Sequence, residues 1–207
     1  MIAVSYLKSK YDKLETINKI NESDADLIHV DLMDGLYVEN KNFTLEEVLN
    51  DLKGVTKLLD IHLMVKEPEK YIEDLAKLNV WAITFHLDGT NNPLKTIELI
   101  KKHNIKVGIA INPNEDIDIL DDYYDLIQYV LVMSVYPGKG GQEFIPEVVD
   151  KISKLKTKNV LVGIDGGIND KTIKHLNGHN LDVVISGSYV CMSDNFNEKI
   201  SELKKNI

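Results

Sequence analysis

Leu27–Met64 has the sequence LIHVDLMDGLYVENKNFTLEEVLNDLKGVTKLLDIHLM, in which two short apolar runs enclose an amphipathic segment. The apolar runs predict strands at Leu27–Met33 and Lys57–Met64, because each is short, rich in large aliphatic residues and alternates between two faces. The segment between them predicts a helix at Leu45–Leu52. A strand, a helix and a second strand in this order are typical of a βαβ unit, whose two strands lie parallel.

The same alternation of strand and helix patterns recurs about eight times along the chain. Further strands are predicted near Ile2–Ser5, Trp81–His86, Lys106–Ile111, Tyr129–Ser134, Val160–Ile164 and Val183–Ser186. Further helices are predicted at Lys10–Asn21, Pro68–Leu78, Pro93–His103, Asp116–Tyr124 (the weakest pattern), Pro146–Lys156, Asp170–Leu176 and Asn195–Lys204. Several of these begin at proline, which costs no hydrogen bond in the first turn of a helix. Thr44 followed by Glu47 predicts a capping box at the start of the helix in the opening stretch.

Eight strand–helix units of about 25 residues each are what a closed (β/α)8 barrel requires, so the predicted fold class is α/β with a TIM barrel. An open doubly wound sheet is the competing architecture, and it would place a Gly-x-Gly-x-x-Gly turn after the first strand. That turn is Tyr6–Lys10 here, and it contains no glycine. Because no linker rich in proline, glycine or serine interrupts the series, residues 1–207 are predicted to form a single (β/α)8-barrel domain.

Composition and charge argue against several classes of protein. The formal net charge of −9 disfavours a nucleic-acid-binding surface, which is ordinarily basic. The chain lacks an apolar stretch of the roughly 18 residues that a membrane span needs, and its N-terminal apolar run is too short for a secretion signal. We therefore expect a cytoplasmic protein with neither nucleic acid nor membrane as a partner. The single cysteine, Cys191, is interpreted as a buried structural thiol.

The stretch His29–Gly35, HVDLMDG, carries the first candidate functional residues. Successive side chains of a strand point to opposite faces, and the face made of Ile, Val and Leu belongs against the helices. The other face, with His29, Asp31 and Met33, is then expected to point into the barrel. Asp34 has the opposite parity and precedes a glycine, so we interpret it as a turn carboxylate.

The same parity places other polar and thioether side chains in the barrel interior. On the third strand these are His62 and Met64, and on the sixth strand Met133. The seventh strand pattern ends beside Asp165, which adds a second carboxylate. His86, at the end of the fourth strand, is also inward, and it either lines the site or has a structural role.

Two imidazoles and two carboxylates at strand ends form a four-ligand set for Zn2+, Fe2+, Mn2+ or Co2+. A single inward histidine is more often a hydrogen-bonded core residue than a ligand, and a single aspartate can be a cap or an ion-pair partner. Four polar groups that converge in an apolar interior need compensation, which a divalent cation supplies. We therefore predict one bound divalent metal ion. The predicted ligands are His29, Asp31, His62 and Asp165.

Glycine-rich loops follow the last three predicted strands, at Pro137–Gln142, Asp165–Gly167 and Ser186–Ser188. Glycine lets backbone N–H groups approach an anion closely, and the late loops of barrel enzymes commonly hold a phosphate. Lys139 is a further candidate for phosphate contact, with a solvated loop lysine as the alternative. The predicted phosphate-binding residues are Gly138, Lys139, Gly140, Gly141, Gly166, Gly167, Gly187 and Ser188.

With these motifs the chain resembles the ribulose-phosphate 3-epimerase family, and the likeness extends over nearly all of its length. The matching segments occur in family order, each at the C-terminal end of a predicted strand. They are His29–Gly35, Asp60–Val65, Thr84–His86, Asn112–Pro113, Val132–Gln142, Phe144–Pro146, Asp165–Ile168 and Gly187–Ser188.

The resemblance implies a TIM barrel of the ribulose-phosphate-binding type. It also implies an isomerase of the pentose phosphate pathway that interconverts D-ribulose 5-phosphate and D-xylulose 5-phosphate. Asp31 and Asp165 would be its acid and base at C3, as well as ligands of the metal. The small phosphorylated ketose would further contact Ser5, His62, Met33, Met64 and Met133. Family likeness also favours a homo-oligomer.

The chain departs from the family pattern at Val4, Tyr37–Asn40, Asp88–Gly89, Tyr136 and Lys139, none of which is a predicted ligand or base. Tyr136 and Lys139 lie on a loop expected to cover the substrate, so the sugar preference stays open. The alternatives are an allulose 6-phosphate 3-epimerase and a non-catalytic barrel that binds a phosphosugar. A decarboxylating phosphosugar barrel is disfavoured, because it would need an Asp-x-Lys-x-x-Asp strand and Asp31–Asp34 contains no lysine.

Overall fold

In the computed structural model, which describes residues 1–207, eight parallel strands pair with their neighbours in the chain and close into a barrel. The closed barrel confirms the predicted fold class. Each strand begins and ends within one residue of its predicted bounds. The strands are β1 (Ile2–Ser5), β2 (Leu27–Met33), β3 (Leu58–Met64), β4 (Val80–His86), β5 (Lys106–Ile111), β6 (Tyr129–Met133), β7 (Leu161–Asp165) and β8 (Val183–Ser186).

Helices alternate with the strands on the outside of the barrel. They are α1 (Lys13–Glu22), α2 (Leu45–Asp51), α3 (Glu69–Leu75), α4 (Pro93–Lys102), α5 (Val149–Leu155), α6 (Ser188–Cys191) and α7 (Phe196–Lys204). Four 3-10 helices lie at Leu87–Gly89, Ile117–Leu120, Pro146–Val148 and Thr172–Leu176. None of the helices has the length and apolar character that crossing a membrane requires.

The predicted α-helices at Asp116–Tyr124 and Asp170–Leu176 were wrong, since both segments contain 3-10 helices instead. In each segment a polar side chain just before the 3-10 helix accepts a hydrogen bond from a nearby backbone N–H group, and such local bonds compete with a regular α-helix. The Asp116 carboxylate accepts a hydrogen bond from the next N–H at 2.7 Å, and the Asn169 side chain accepts one from the N–H two residues later at 2.8 Å. The short α6 was not predicted, because four residues are too few to establish a helical period.

The start of α2 confirms the predicted capping box. The Glu47 N–H donates to the Thr44 hydroxyl at 3.2 Å, and the Thr44 N–H donates to the Glu47 carboxylate at 2.8 Å. Each bond satisfies a backbone donor that the helix itself cannot. Pro93 is the first residue of α4, as its position in the sequence predicted.

Strand parity separates two apolar layers, as predicted. Ile28, Val30 and Leu32 belong to a core of 44 buried residues that joins the strands to the surrounding helices. A second cluster of 11 buried residues, including Tyr129 and Leu131, fills the barrel interior. The inward polar side chains are therefore concentrated towards the C-terminal ends of the strands.

Strand register determines which inward residues become neighbours. Asp31 of β2 lies opposite His62 of β3, and Met133 of β6 lies opposite Asp165 of β7. Local sequence predicts the face on which each side chain lies, but the pairing of one strand with the next depends on the closed barrel.

Tyr129 closes the barrel below the polar end. Its ring contacts Trp81 edge to face, with ring centroids 5.2 Å apart. A Cβ atom at Gly163 would lie 2.0 Å from the Tyr129 hydroxyl, and one at Gly108 would lie 2.2 Å from the Thr84 hydroxyl. Glycine at these two strand positions therefore makes room for a large ring in the interior.

Candidate active site and metal centre

The four predicted metal ligands come together at the C-terminal ends of β2, β3 and β7. One ligand atom each from His29, Asp31, His62 and Asp165 lie within 4.8 Å of one another. Asp31 Oδ1 lies 3.4 Å from His29 Nε2 and 3.3 Å from His62 Nδ1, and His29 Nε2 lies 3.9 Å from Asp165 Oδ2. Both imidazoles are fully buried, whereas the Asp165 side chain is 17% exposed towards the mouth of the barrel.

These groups fit a small divalent cation. Four nitrogen and oxygen ligands at bonds of about 2.1 Å have neighbours about 3.4 Å apart in a tetrahedron. The 3.3 and 3.4 Å separations agree with this value, and the remaining atoms of the set lie within 4.8 Å of one another. His29 Nε2 is buried and has no hydrogen-bond partner, although it faces both carboxylates. A buried polar atom without a partner is costly, and coordination of a cation would satisfy it.

The opposite nitrogen of each imidazole contacts a second buried side chain. His29 Nδ1 lies 2.8 Å from Asp60 Oδ2, and His62 Nε2 lies 2.9 Å from His86 Nε2. Asp60 was not among the predicted site residues, although it shares the inward parity of His62 two residues later. With Asp60 accepting the hydrogen of His29 Nδ1, a cation bound at the cluster would take the place of the hydrogen on Nε2.

The surroundings drive the two ligand carboxylates towards opposite protonation states. Burial opposes ionisation of Asp31, but the positive charge of His29 and the close polar contacts of Asp31 with His29 and His62 outweigh it and hold the pKa of Asp31 well below its usual range. Burial and the negative charge of Asp31 raise the pKa of Asp165 to about 6. The Ser5 hydroxyl also donates to Asp31 Oδ2 at 2.7 Å, which further favours the ionised form.

Burial also changes the pKa values of His29 and His86. It lowers the pKa of His29, but the charges of Asp31 and Asp60 reverse this effect and raise that pKa well above its usual value. Burial, together with the neighbouring His62, lowers the pKa of His86 well below its usual value, so His86 is neutral.

A pocket opens above the ligand cluster and contains most of the predicted substrate-binding residues. Met33, Met64 and Met133 are each 2% exposed and form its apolar lining beside Asp31 and Asp165. The predicted residues that line this pocket are Ser5, Met33, Met64, Met133, Gly138, Lys139, Gly140, Gly141, Gly166, Gly167, Gly187 and Ser188. His62, also predicted to contact substrate, is fully buried beneath the pocket.

The glycine-rich loops approach one another closely at the pocket wall. Gly166 and Gly167 both have positive φ angles, 125° and 65°, which other residues rarely adopt. A Cβ atom at Gly167 would lie 2.7 Å from the backbone nitrogen of Phe144. The loops after β6 and β7 can therefore pack this tightly only with glycine at these positions.

Similarity to known proteins agrees with this geometry. The model of the ribulose-phosphate 3 epimerase family matches residues 1–191. The chain belongs to this family. Ribulose-phosphate 3-epimerase from Buchnera aphidicola is 38% identical over 99% of this chain and 94% of the relative. The enzymes of the same name from Bacillus subtilis and Escherichia coli K12 are 32% and 31% identical, over 98% and 100% of this chain and 97% and 96% of the relatives.

Membership of this family makes the chain an epimerase, that is, an isomerase. Solved structures of other TIM-barrel enzymes share the fold. KGPDC from Streptococcus mutans superposes with a TM-score of 0.76, and a mutant tryptophan synthase alpha-subunit from Pyrococcus furiosus with 0.74. They are 15% and 14% identical, and the matches cover 99% of this chain and 95% and 97% of those chains.

Lys8, which was not among the predicted site residues, lines the same pocket. Its ammonium nitrogen lies only 2.6 Å from the position that a Cβ atom of Gly141 would occupy, and it forms no ion pair. No local motif marks Lys8, because its approach to the glycine-rich loop depends on the packing of the β1 and β6 loops. It places an uncompensated positive charge beside the residues predicted to bind phosphate.

Two other predictions concern residues beside the site. Asp34 accepts hydrogen bonds from the N–H groups of Leu36, Tyr37 and Lys66, so it is a turn carboxylate as predicted. Cys191 is fully buried, which confirms the interpretation of this residue as a structural thiol.

Proposed function

We propose that this chain, acting as a single catalytic domain over residues 1–207, interconverts D-ribulose 5-phosphate and D-xylulose 5-phosphate in the cytoplasmic pentose phosphate pathway. The observation that carries the proposal is the pair Asp31 and Asp165. The two carboxylates meet in one cluster, and their pKa values are displaced in opposite directions. Such a pair supplies a base and an acid at the same pH.

Epimerisation at C3 requires a proton to leave one face of the carbon and another to arrive on the opposite face. Asp31, which is held ionised, takes the proton from the first face. Asp165, whose pKa of about 6 makes it the more readily protonated of the two carboxylates, returns a proton to the other face. After a forward turnover Asp31 carries the proton and Asp165 is ionised. The reverse reaction, in which the two residues exchange roles, restores the starting states directly, and a second forward turnover first requires both residues to exchange protons with solvent.

The metal part of the proposal uses His29, Asp31, His62 and Asp165 as ligands of one divalent ion, Zn2+, Fe2+, Mn2+ or Co2+. When bound, this ion supplies Lewis-acid stabilisation of the negative charge that develops on the substrate oxygens as the C3 proton leaves.

The remaining pocket residues bind and orient the substrate. Met33, Met64 and Met133 exclude water from the reacting carbon, and Ser5 holds Asp31 in place through its hydrogen bond. The glycine-rich loops offer backbone N–H groups to the phosphate, with Lys8 as a nearby positive charge. Binding the phosphate away from C3 orients the sugar without taking part in the proton transfers.

Loss of deuterium from 3-deuterated ribulose 5-phosphate tests the two-carboxylate mechanism. With Mn2+ or Co2+ present, the wild type should release deuterium to solvent and form xylulose 5-phosphate. Asp31→Asn and Asp165→Asn should each lower the rate of product formation by at least about a thousandfold, because each lacks one of the two proton-transfer groups. A variant that retains near wild-type epimerisation would exclude its aspartate from the mechanism.

The same assay separates the alternatives. If the metal-loaded wild type leaves ribulose 5-phosphate unchanged but epimerises allulose 6-phosphate, the enzyme is an allulose 6-phosphate 3-epimerase. Turnover of neither sugar by a protein that binds both would support the non-catalytic barrel.

A further inference from the structure

His86 is a buried histidine to which the proposed mechanism gives no role. It is the last residue of β4 and is 2% exposed, and its Nε2 lies 2.9 Å from Nε2 of the fully buried His62. At this distance the two nitrogens share one hydrogen, so one imidazole donates and the other accepts.

In the metal-loaded protein, the nitrogen with which His62 would face the cation sets the direction of this hydrogen bond. Its other ring nitrogen, Nδ1, faces Asp31 Oδ1 at 3.3 Å and is the atom directed towards the ligand cluster. An Nδ1 that offers its lone pair to a cation requires the ring hydrogen to be on Nε2. His62 is then the donor, and His86 accepts with the lone pair of its own Nε2.

We propose that His86 is a positioning residue for the metal centre: by accepting the hydrogen bond from His62 Nε2, it fixes the tautomer and orientation in which His62 Nδ1 faces the ion. This inference rests on the metal site of the proposed function. The two ligand imidazoles are thereby oriented through opposite nitrogens. His29 presents Nε2 and is held by the Asp60 carboxylate, whereas His62 presents Nδ1 and is held by a neutral imidazole.

Tyr37, one of the departures from the family pattern, holds His86 from the other side. The two rings are in tilted contact, with centroids 5.0 Å apart and planes inclined by 32°. The Tyr37 hydroxyl donates to Asp88 at 2.8 Å, and Lys66 lies over the Tyr37 ring while it donates to the Asp88 carbonyl. These contacts connect the unusual Tyr37 and Asp88 to the orientation of His62 through His86.

A matched pair of variants tests the hydrogen bond. His86→Met removes a strong acceptor with little change in side-chain volume, whereas His86→Gln keeps a carbonyl oxygen at similar reach. We expect His86→Met to weaken Co2+ binding roughly 10- to 100-fold and His86→Gln to recover most of that loss, as is typical when the outer partner of a metal-ligating histidine is removed. Co2+ affinity is measured by competition with a chelator, and the visible absorption of the bound Co2+ reports its coordination.

Thr84→Val is the control, because Thr84 is the preceding inward residue of β4 and its buried hydroxyl has no partner. This variant should bind Co2+ with wild-type affinity. Thermal unfolding of the metal-free proteins shows whether each variant is folded, and His86→Leu replaces His86→Met if the latter does not fold.

Wild-type Co2+ affinity and an unchanged spectrum in a folded variant that lacks the acceptor would overturn the inference and leave the proposed function intact. Equal losses in the Met and Gln variants would also overturn it, since they would indicate packing rather than hydrogen bonding. A wild type that binds no Co2+ would instead refute both the metal site and the role of His86.

Discussion

Asp165→Asn is expected to stabilise the metal-free protein at pH 8, although Asp165 is a proposed catalytic residue. Burial and the nearby charge of Asp31 make ionisation of Asp165 unfavourable in the folded chain, and its pKa is raised from the ordinary value of 3.8 to about 6. The unfolded chain ionises Asp165 without this penalty. Stability from Asp165 is therefore fully present below pH 3.8 and is lost as the pH rises through about 6.

The size of the effect follows from the displacement of the pKa. A difference of about 2 units at about 1.4 kcal/mol per unit corresponds to about 3 kcal/mol of stability lost above pH 6. The Asp165 side chain is 17% exposed, and access to water reduces this penalty to about 2 kcal/mol. Asparagine has nearly the same shape and no charge to bury, so the variant avoids the loss.

Urea unfolding of chelator-treated proteins at pH 4 and pH 8 measures the difference. The free energy of unfolding of Asp165→Asn should exceed that of the wild type by about 2 kcal/mol at pH 8, and the difference should nearly vanish at pH 4. Asp31→Asn is the matched control and should destabilise the protein at pH 8, because His29 and His62 stabilise the ionised Asp31. A metal-free Asp165→Asn protein that is no more stable than the wild type at pH 8 would refute this account of the site.

Three further predictions concern the phosphate pocket, the metal centre and the barrel interior. Lys8→Gln should raise KM for the phosphorylated ketose roughly 3- to 10-fold with little change in kcat, whereas Lys10→Gln should not; equal KM values would remove Lys8 from phosphate binding. Asp60→Ala should weaken Co2+ binding roughly 10-fold or more in a chelator competition, and unchanged affinity would contradict its role as a ligand-orienting acceptor. Gly163→Ala should lower the free energy of unfolding by at least about 2 kcal/mol, because its Cβ would lie 2.0 Å from the Tyr129 hydroxyl. Adding Tyr129→Phe should recover part of that loss, and the absence of any loss in the single variant would show that the interior has room.

The sequence determined the eight-unit alternation and the face on which each strand residue lies, because both follow from local periodicity. Strand side chains alternate with a period of two, so HVDLM is enough to place His29 and Asp31 in the interior. Local chemistry likewise determined the capping box at Thr44 and the turn role of Asp34. The capping box involves only neighbouring residues, and two of the three N–H groups that Asp34 binds belong to Leu36 and Tyr37 of the same turn.

The tertiary structure alone decided which of these inward residues touch and how their charges interact. Barrel closure buries Asp165 of β7 beside the His29 and Asp31 side chains of β2. Burial and the charge of Asp31 raise the pKa of Asp165, whereas His29 and His62 hold that of Asp31 low. The contacts of Asp60 with His29 and of Lys8 with the Gly141 loop arise in the same way, between segments far apart in the chain. Contacts and pKa values depend on the distances and burial that packing creates between remote segments. The face on which a strand residue lies depends only on its position in the local sequence.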